Sequence, residues 1–159
     1  MEQKNLAKLL KGIVIGVGIG GLVFYCCLIP MIGQSIIAGY PEYSGWFYPW
    51  LIMLWVTGIP CYAALVFGWQ IAGSIGRDES FTEKNASRLK MISYLAIADS
   101  VFFFLVNVVF WLLNMNHPGM VICSLGIAFV GVSIAVGAAV LSHLVKKAAV
   151  LQKESELTI

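Results

Sequence analysis

The stretch KMISYLAIADSVFFFLVNVVFWLLN, residues 90–114, is apolar for the length of a membrane crossing and carries a single acid, Asp99. Along it Ser93, Ser100, Asn107 and Asn114 recur every seven residues, so one side of a helix built from it is polar from end to end. Polar groups in hydrocarbon are costly unless they face other helices or a wet cavity. This segment is therefore expected to be the pivot on which the other spans pack.

The rest of the chain fits that setting. Of its 159 residues 60% are hydrophobic and 11% charged, where a soluble domain carries about 25% charged residues. The apolar residues fall into four blocks, about residues 12–33, 50–76, 91–114 and 120–145, each long enough to cross ~30 Å of hydrocarbon. A signal peptide has a similar basic start, but its apolar region is only ~7–15 residues long, so the first block reads as an uncleaved span. The expected fold is all-α: an integral membrane four-helix bundle forming a single four-span domain.

Charge placement sets the expected orientation. All ten Lys and Arg residues lie in the head, in the connection 77–90, or in the tail. Basic residues in short loops stay inside, which predicts that both termini and the 77–90 loop are cytoplasmic and that the bilayer is the cell (plasma) membrane. The outer face then carries only Glu42 and His117, leaving no basic surface for direct nucleic-acid binding. The basic inner face suits anionic lipids of the bilayer.

Within the spans two small-residue patterns stand out. Gly12, Gly16 and Gly20 repeat at four-residue spacing, and Ser124, Ala128, Gly131, Ala135, Ala138 and Ser142 alternate at spacings of four and three. Both allow close helix approach in lipid. Tyr40, Tyr43, Trp46, Tyr48 and Trp50 form an aromatic cluster suited to an interfacial belt, or alternatively to a lid or recognition surface for an apolar ligand. Pro60 predicts a kink near Thr57. Ser80-Phe81-Thr82-Glu83 fits a capping box that starts the third helix in water. Asn114 to Pro118 is read as a tight turn.

Asp99 lies nine residues past Lys90, or ~13 Å into a core of ~30 Å. The same count inward from Lys11, Arg77 and Lys146 reaches Gly20, Gly68 and Gly137, which would leave room around the carboxyl. Gln70 is the long polar side chain at similar depth and the expected hydrogen-bond partner, so that Asp99, Gln70, Ser100 and Asn107 would form an intramembrane polar site. A carboxylate at that depth is disfavoured in its charged form. Two readings stand: a neutral acid clasping a neighbouring oxygen, or a proton- or cation-responsive group.

Other chemistry is sparse. His117 and His143 fall near opposite faces, too far apart to share a metal. Cys26, Cys27, Cys61 and Cys123 sit inside apolar runs with no CxxC pair, so no disulfide framework, metal site or cofactor is indicated. Membrane thiol oxidoreductases need reactive loop cysteines, which are missing here, and buried, inert thiols are expected. With no nucleophile triad and no phosphate loop, the sequence does not read as an enzyme.

Pro41-Glu42, Tyr48-Pro49-Trp50-Leu51, Ile59-Pro60, Phe81-Thr82 with Asn85, Leu89-Lys90 with Ile92, and Leu157-Thr158-Ile159 together resemble a family of bacterial four-span membrane proteins, domain of unknown function 2975. Genes of that family commonly neighbour a small Cro/CI-type helix-turn-helix regulator, so the resemblance implies a membrane partner in regulation. The first expectation is a regulatory or sensory protein whose Phe81, Asn85, Leu157 and Ile159 contact a soluble cytoplasmic partner. The alternative is a small transporter, or an immunity or export component, with Asp99 as coupling acid. It would work as a homo-oligomer joined through the Gly12/Gly16/Gly20 or the Ser124-to-Ser142 seam. A quinone-linked thiol oxidase is the third and weakest reading.

Overall fold

The computed structural model describes residues 3–157. Thr158 and Ile159, the end of the tail motif, lie outside the described residues. The chain runs as α1 (Gln3–Val23), a π turn (Phe24–Leu28), α2 (Ile29–Gly39), a short 3-10 helix (Pro41–Trp46), α3 (Phe47–Ile75), α4 (Glu83–Leu112) and α5 (Pro118–Leu157). Among the described residues there is no strand. Four helical rods, Gln3–Gly39, Pro41–Ile75, Glu83–Leu112 and Pro118–Leu157, are long and apolar enough to cross a membrane. From Gln3 on the basic head is itself helical, and α5 continues without a break into the tail as far as Leu157. At 40 residues α5 is ~60 Å long, about twice the hydrocarbon thickness.

The rods pack in chain order. α4 makes its most extensive contact with α5 and turns its other side to α3, while α1 packs on α3. Among the described residues α1 meets neither α4 nor α5. The bundle is thus an open row.

The central contact joins the two patterns visible in the sequence. Ser93, Ser100 and Asn107 of α4 are buried, as are Ser124, Ala135 and Ser142 of α5. Gly131 lies so close to the Ser100 side chain that a Cβ there has no room. Three of these polar groups bond within their own helix: Ser100 Oγ donates to the Ala96 carbonyl (2.7 Å), Asn107 Nδ2 to Phe103 (2.9 Å) and Ser124 Oγ to Val121 (2.7 Å). Hydroxyls and amides that bond back to their own helix can be buried in hydrocarbon at little cost. Small side chains then bring the two backbones within dispersion range. One bond crosses the seam directly, from Ser142 Oγ to the Ala86 carbonyl at 2.6 Å.

The α1–α3 contact uses different glycines from those expected. Nothing comes within 4 Å of a Cβ built on Gly12, Gly16 or Gly20, so that face is turned away from the row. Gly21 instead makes room for the Tyr62 hydroxyl, which donates to the Gly18 carbonyl at 2.6 Å. Gly58 lies under the Tyr25 ring.

An irregular helical stretch lies at another proline. α3 is assigned as one helix through Pro60, whereas the first span passes through a π turn just before Pro30. Proline has no N–H and crowds the carbonyl one turn earlier, and a π turn is a standard relief. Here the Ile29 N–H reaches back five residues to Phe24, which frees the Tyr25 carbonyl. Trp55 Nε1 of α3 donates to that carbonyl at 3.0 Å, so the defect becomes an interhelix tie.

Both long helices that precede turns end on a left-handed residue. Asp78 (φ 65°) and Asn114 (φ 56°) occupy the position usually taken by glycine after a helix. Behind them Glu79 N–H donates to Ser74 (3.0 Å) and Met115 N–H to Phe110 (2.8 Å). Asn114 therefore leaves the seven-residue stripe and serves as a cap. At the start of α4 the cap is Thr82, whose hydroxyl accepts from the Asn85 N–H at 3.3 Å, two residues beyond the Ser80 of the expected box.

Gly131→Leu should push α4 and α5 apart and lower unfolding stability by about 1–3 kcal/mol. Gly126→Leu, where a Cβ meets open space, should leave the detergent-solubilised unfolding midpoint close to wild type.

Candidate functional site

The expected polar site does not form as one unit. Successive helical residues point about 100° apart, so Asp99 faces α3 while Ser100 and Asn107 face α5. Asp99 Oδ2 accepts a long contact from the Cys61 thiol, 3.8 Å. Its Oδ1 is enclosed and, among the described residues, has no hydrogen-bond partner. One turn before Cys61 on the same α3 face, the Thr57 hydroxyl lies 3.5 Å from the Tyr25 hydroxyl of the first span. Nor do the three glycines counted to this depth surround the carboxyl: Gly20 and Gly137 face open space and Gly68 faces Val14. All four cysteines are unpaired and on outward helix surfaces, not in the core.

Gln70 bonds elsewhere. Its Oε1 accepts from Arg88 Nε at 2.9 Å, and Arg88 precedes Asp99 by eleven residues, ~16 Å along α4. The residue level with Asp99 on α3 is Cys61, and Gln70 lies nine residues beyond it, ~13 Å toward the basic end, where a cation offers a stronger, charge-assisted bond. Arg88 Nη1 also donates to Ser74 Oγ (3.0 Å) and Asn85 Oδ1 (2.8 Å). Asn85 Nδ2 in turn holds the Glu79 and Ser80 carbonyls at 3.0 and 3.1 Å. This clasp fastens α3, α4 and the turn between them, and every acceptor of the guanidinium in it is neutral. Asn85 is only 1% exposed, so it cannot dock a partner. Its side chain is consumed in shaping the loop. Phe81 and Leu157 are exposed and remain available.

The opposite end holds a second polar tie and a cavity. Asn107, fully buried, accepts from Asn116 Nδ2 at 3.0 Å, and Asn116 Oδ1 accepts from the His117 N–H at 2.9 Å. Trp50 Nε1 donates to the Met115 carbonyl (3.2 Å) and its ring lies 5.4 Å from that of Phe110, which binds the start of α3 to the end of α4. Beside this tie lies a cavity of about 560 Å³ between α2, the 3-10 helix and the start of α3. Tyr40, Tyr43, Trp46 and Trp50 line it. Tyr48, the fifth aromatic of the cluster, faces outward. Gly33 makes the close approach of α2 feasible, because a Cβ there would collide with the Phe47 ring.

Neither the Arg88–Asn85 clasp nor the cavity emerges from sequence spacing, because each joins residues on separate helices. Among the described residues no group of three or more metal-ligating side chains is present. Four apolar helices in a row, with most of their polar ties gathered at its two ends, define a multi-pass helical membrane protein. The chain belongs to the family described as Protein of unknown function (DUF2975), which matches residues 31–159. It is similar to the uncharacterized membrane protein YoaS of Bacillus subtilis (strain 168), with 32% identity over 152 residues, 94% of this chain and 95% of that protein. No solved structure matches the chain.

Asn85→Leu removes the group that holds two loop carbonyls and one Arg88 bond. It should cost about 1–3 kcal/mol and speed trypsin cleavage at Arg77 and Lys84, read by limited proteolysis against wild type.

Proposed function

We propose that this protein is a non-enzymatic regulatory or sensory component of the cell membrane, with both termini cytoplasmic and a small soluble helix-turn-helix regulator as partner. The distribution of the ten basic residues supports that orientation. The observation that carries the reading is the length of α5. It continues past Lys146 and Lys147 to Leu157, ~15 Å of helix beyond the basic boundary. Val150, Leu151 and Leu157 on it are 42%, 57% and 80% exposed. Apolar side chains carried out of the lipid on a rigid helix fit a protein contact better than water. Phe81 adds to the same surface, since the Ser142–Ala86 bond sets the start of that extension beside the 77–82 turn.

Affinity capture of the tagged full chain from membranes should recover a small helix-turn-helix regulator. Removal of residues 148–159 together with Phe81→Ser should abolish recovery, and equal recovery from that variant would overturn the reading.

A second reading is favoured by Asp99, whose enclosed Oδ1 has no partner among the described residues. There the protein is a transporter or an immunity or export component with Asp99 as coupling acid. An open row encloses no path by itself, so several copies would assemble, with the outward Gly12, Gly16 and Gly20 face available for the contact. Wild-type proteoliposomes should then show proton flux that Asp99→Asn abolishes; absence of flux in the wild type ends this reading.

A further inference from the structure

The cavity at the aromatic end has a shape and chemistry of its own. Its volume, about 560 Å³, falls within the range of about 300–1,000 Å³ typical of small-ligand sites. Its walls contain no Lys, Arg, Asp or Glu. Phe24 of the π turn and Ile32 and Ile36 of α2 line the cavity and are also exposed on the outward surface of the row, so the cavity opens sideways toward hydrocarbon. Water has almost nothing to bond there, and an aqueous solute would have to cross lipid to enter. An acyl chain would enter directly from the hydrocarbon.

The polar rim completes the match. His117 lines the cavity, and its Nδ1 accepts the Gly119 N–H at 3.1 Å. A neutral imidazole whose Nδ1 accepts carries its proton on Nε2, so the turn presents an N–H donor at the level of the Tyr and Trp belt. Ester and phosphate oxygens of a phospholipid lie at that level and are acceptors, and none of the lining side chains is an acid that would repel them.

We propose that this cavity is a phospholipid-binding site, in which one acyl chain lies between α2 and the start of α3 while an ester or phosphate oxygen accepts from His117 Nε2. The site stands apart from the cytoplasmic partner contact. Its existence does not depend on that reading.

The test uses the full chain reconstituted in phosphatidylcholine vesicles, extracted into mild detergent and weighed by native mass spectrometry. The wild type should retain one phosphatidylcholine per protomer. Leu54→Trp, which fills the slot, should abolish retention. His117→Phe, at an exposed position, removes the Nε2 donor together with the Nδ1 bond to Gly119 and should weaken retention about tenfold, the loss of one hydrogen bond to the lipid. Ile134→Trp on the outward face of α5 should retain lipid as wild type does. Should Leu54→Trp fail to fold, judged by circular dichroism, His117→Phe decides alone. No retained lipid in the wild type, detergent alone in its place, or retention unchanged by the cavity variants overturns the proposal.

Discussion

The contact between α4 and α5 rests on an exchange of size for proximity. A membrane interior offers no hydrophobic drive to bring helices together, so they must gain from touching more closely than lipid tails can. Gly131 against Ser100 is the tightest point of that contact. Ser93 and Asn107 extend it along α4, and Ser124, Ala135 and Ser142 extend it along α5. Ser100, Asn107 and Ser124 are buried at little cost because they bond to carbonyls of their own helices. The remaining helices are added to this pair through α3.

Fastenings gather at the two ends of the row. At the basic end Arg88 and Asn85 join α3, α4 and the intervening turn. At the aromatic end Asn107, Asn116 and Trp50 do the same for α4, its turn and the start of α3. Between these ties the α3–α4 contact is lightly held, and Asp99 with its single thiol contact sits in that stretch. Such a division, rigid ends and a sparsely bonded middle, gives a helix that moves as a unit if it moves at all.

Much of this was legible in the residues. The four spans follow from block length, and the Ser93–Ser100–Asn107 stripe and the Ser124–Ser142 seam follow from helical period. That the two face each other completes the inference. What stayed hidden depends on direction around a helix or on pairing across helices. Gln70 was placed at a depth near that of Asp99, yet Arg88 on the neighbouring helix claims it. Asn85 in a polar loop looks available, yet two carbonyls close over it. Gly12, Gly16 and Gly20 have the spacing of a packing face, but Gly18 and Gly21 carry the α3 contact because the Tyr62 hydroxyl needs a free carbonyl to bond. Pro30 was as visible as Pro60. Its effect, the π turn that hands the Tyr25 carbonyl to Trp55, required knowing where an indole would stand.

The absence of contact between the first rod and the last two bears on biogenesis. In a closed ring the final helix to emerge must find a partner inserted much earlier, and that edge stays unmated in the interim. Here each newly released segment meets the one translated just before it, so the lateral exit of the insertion machinery can hand over helices one at a time. Every interface then closes between chain neighbours, with short loops to search, and no half-built surface waits on the end of synthesis.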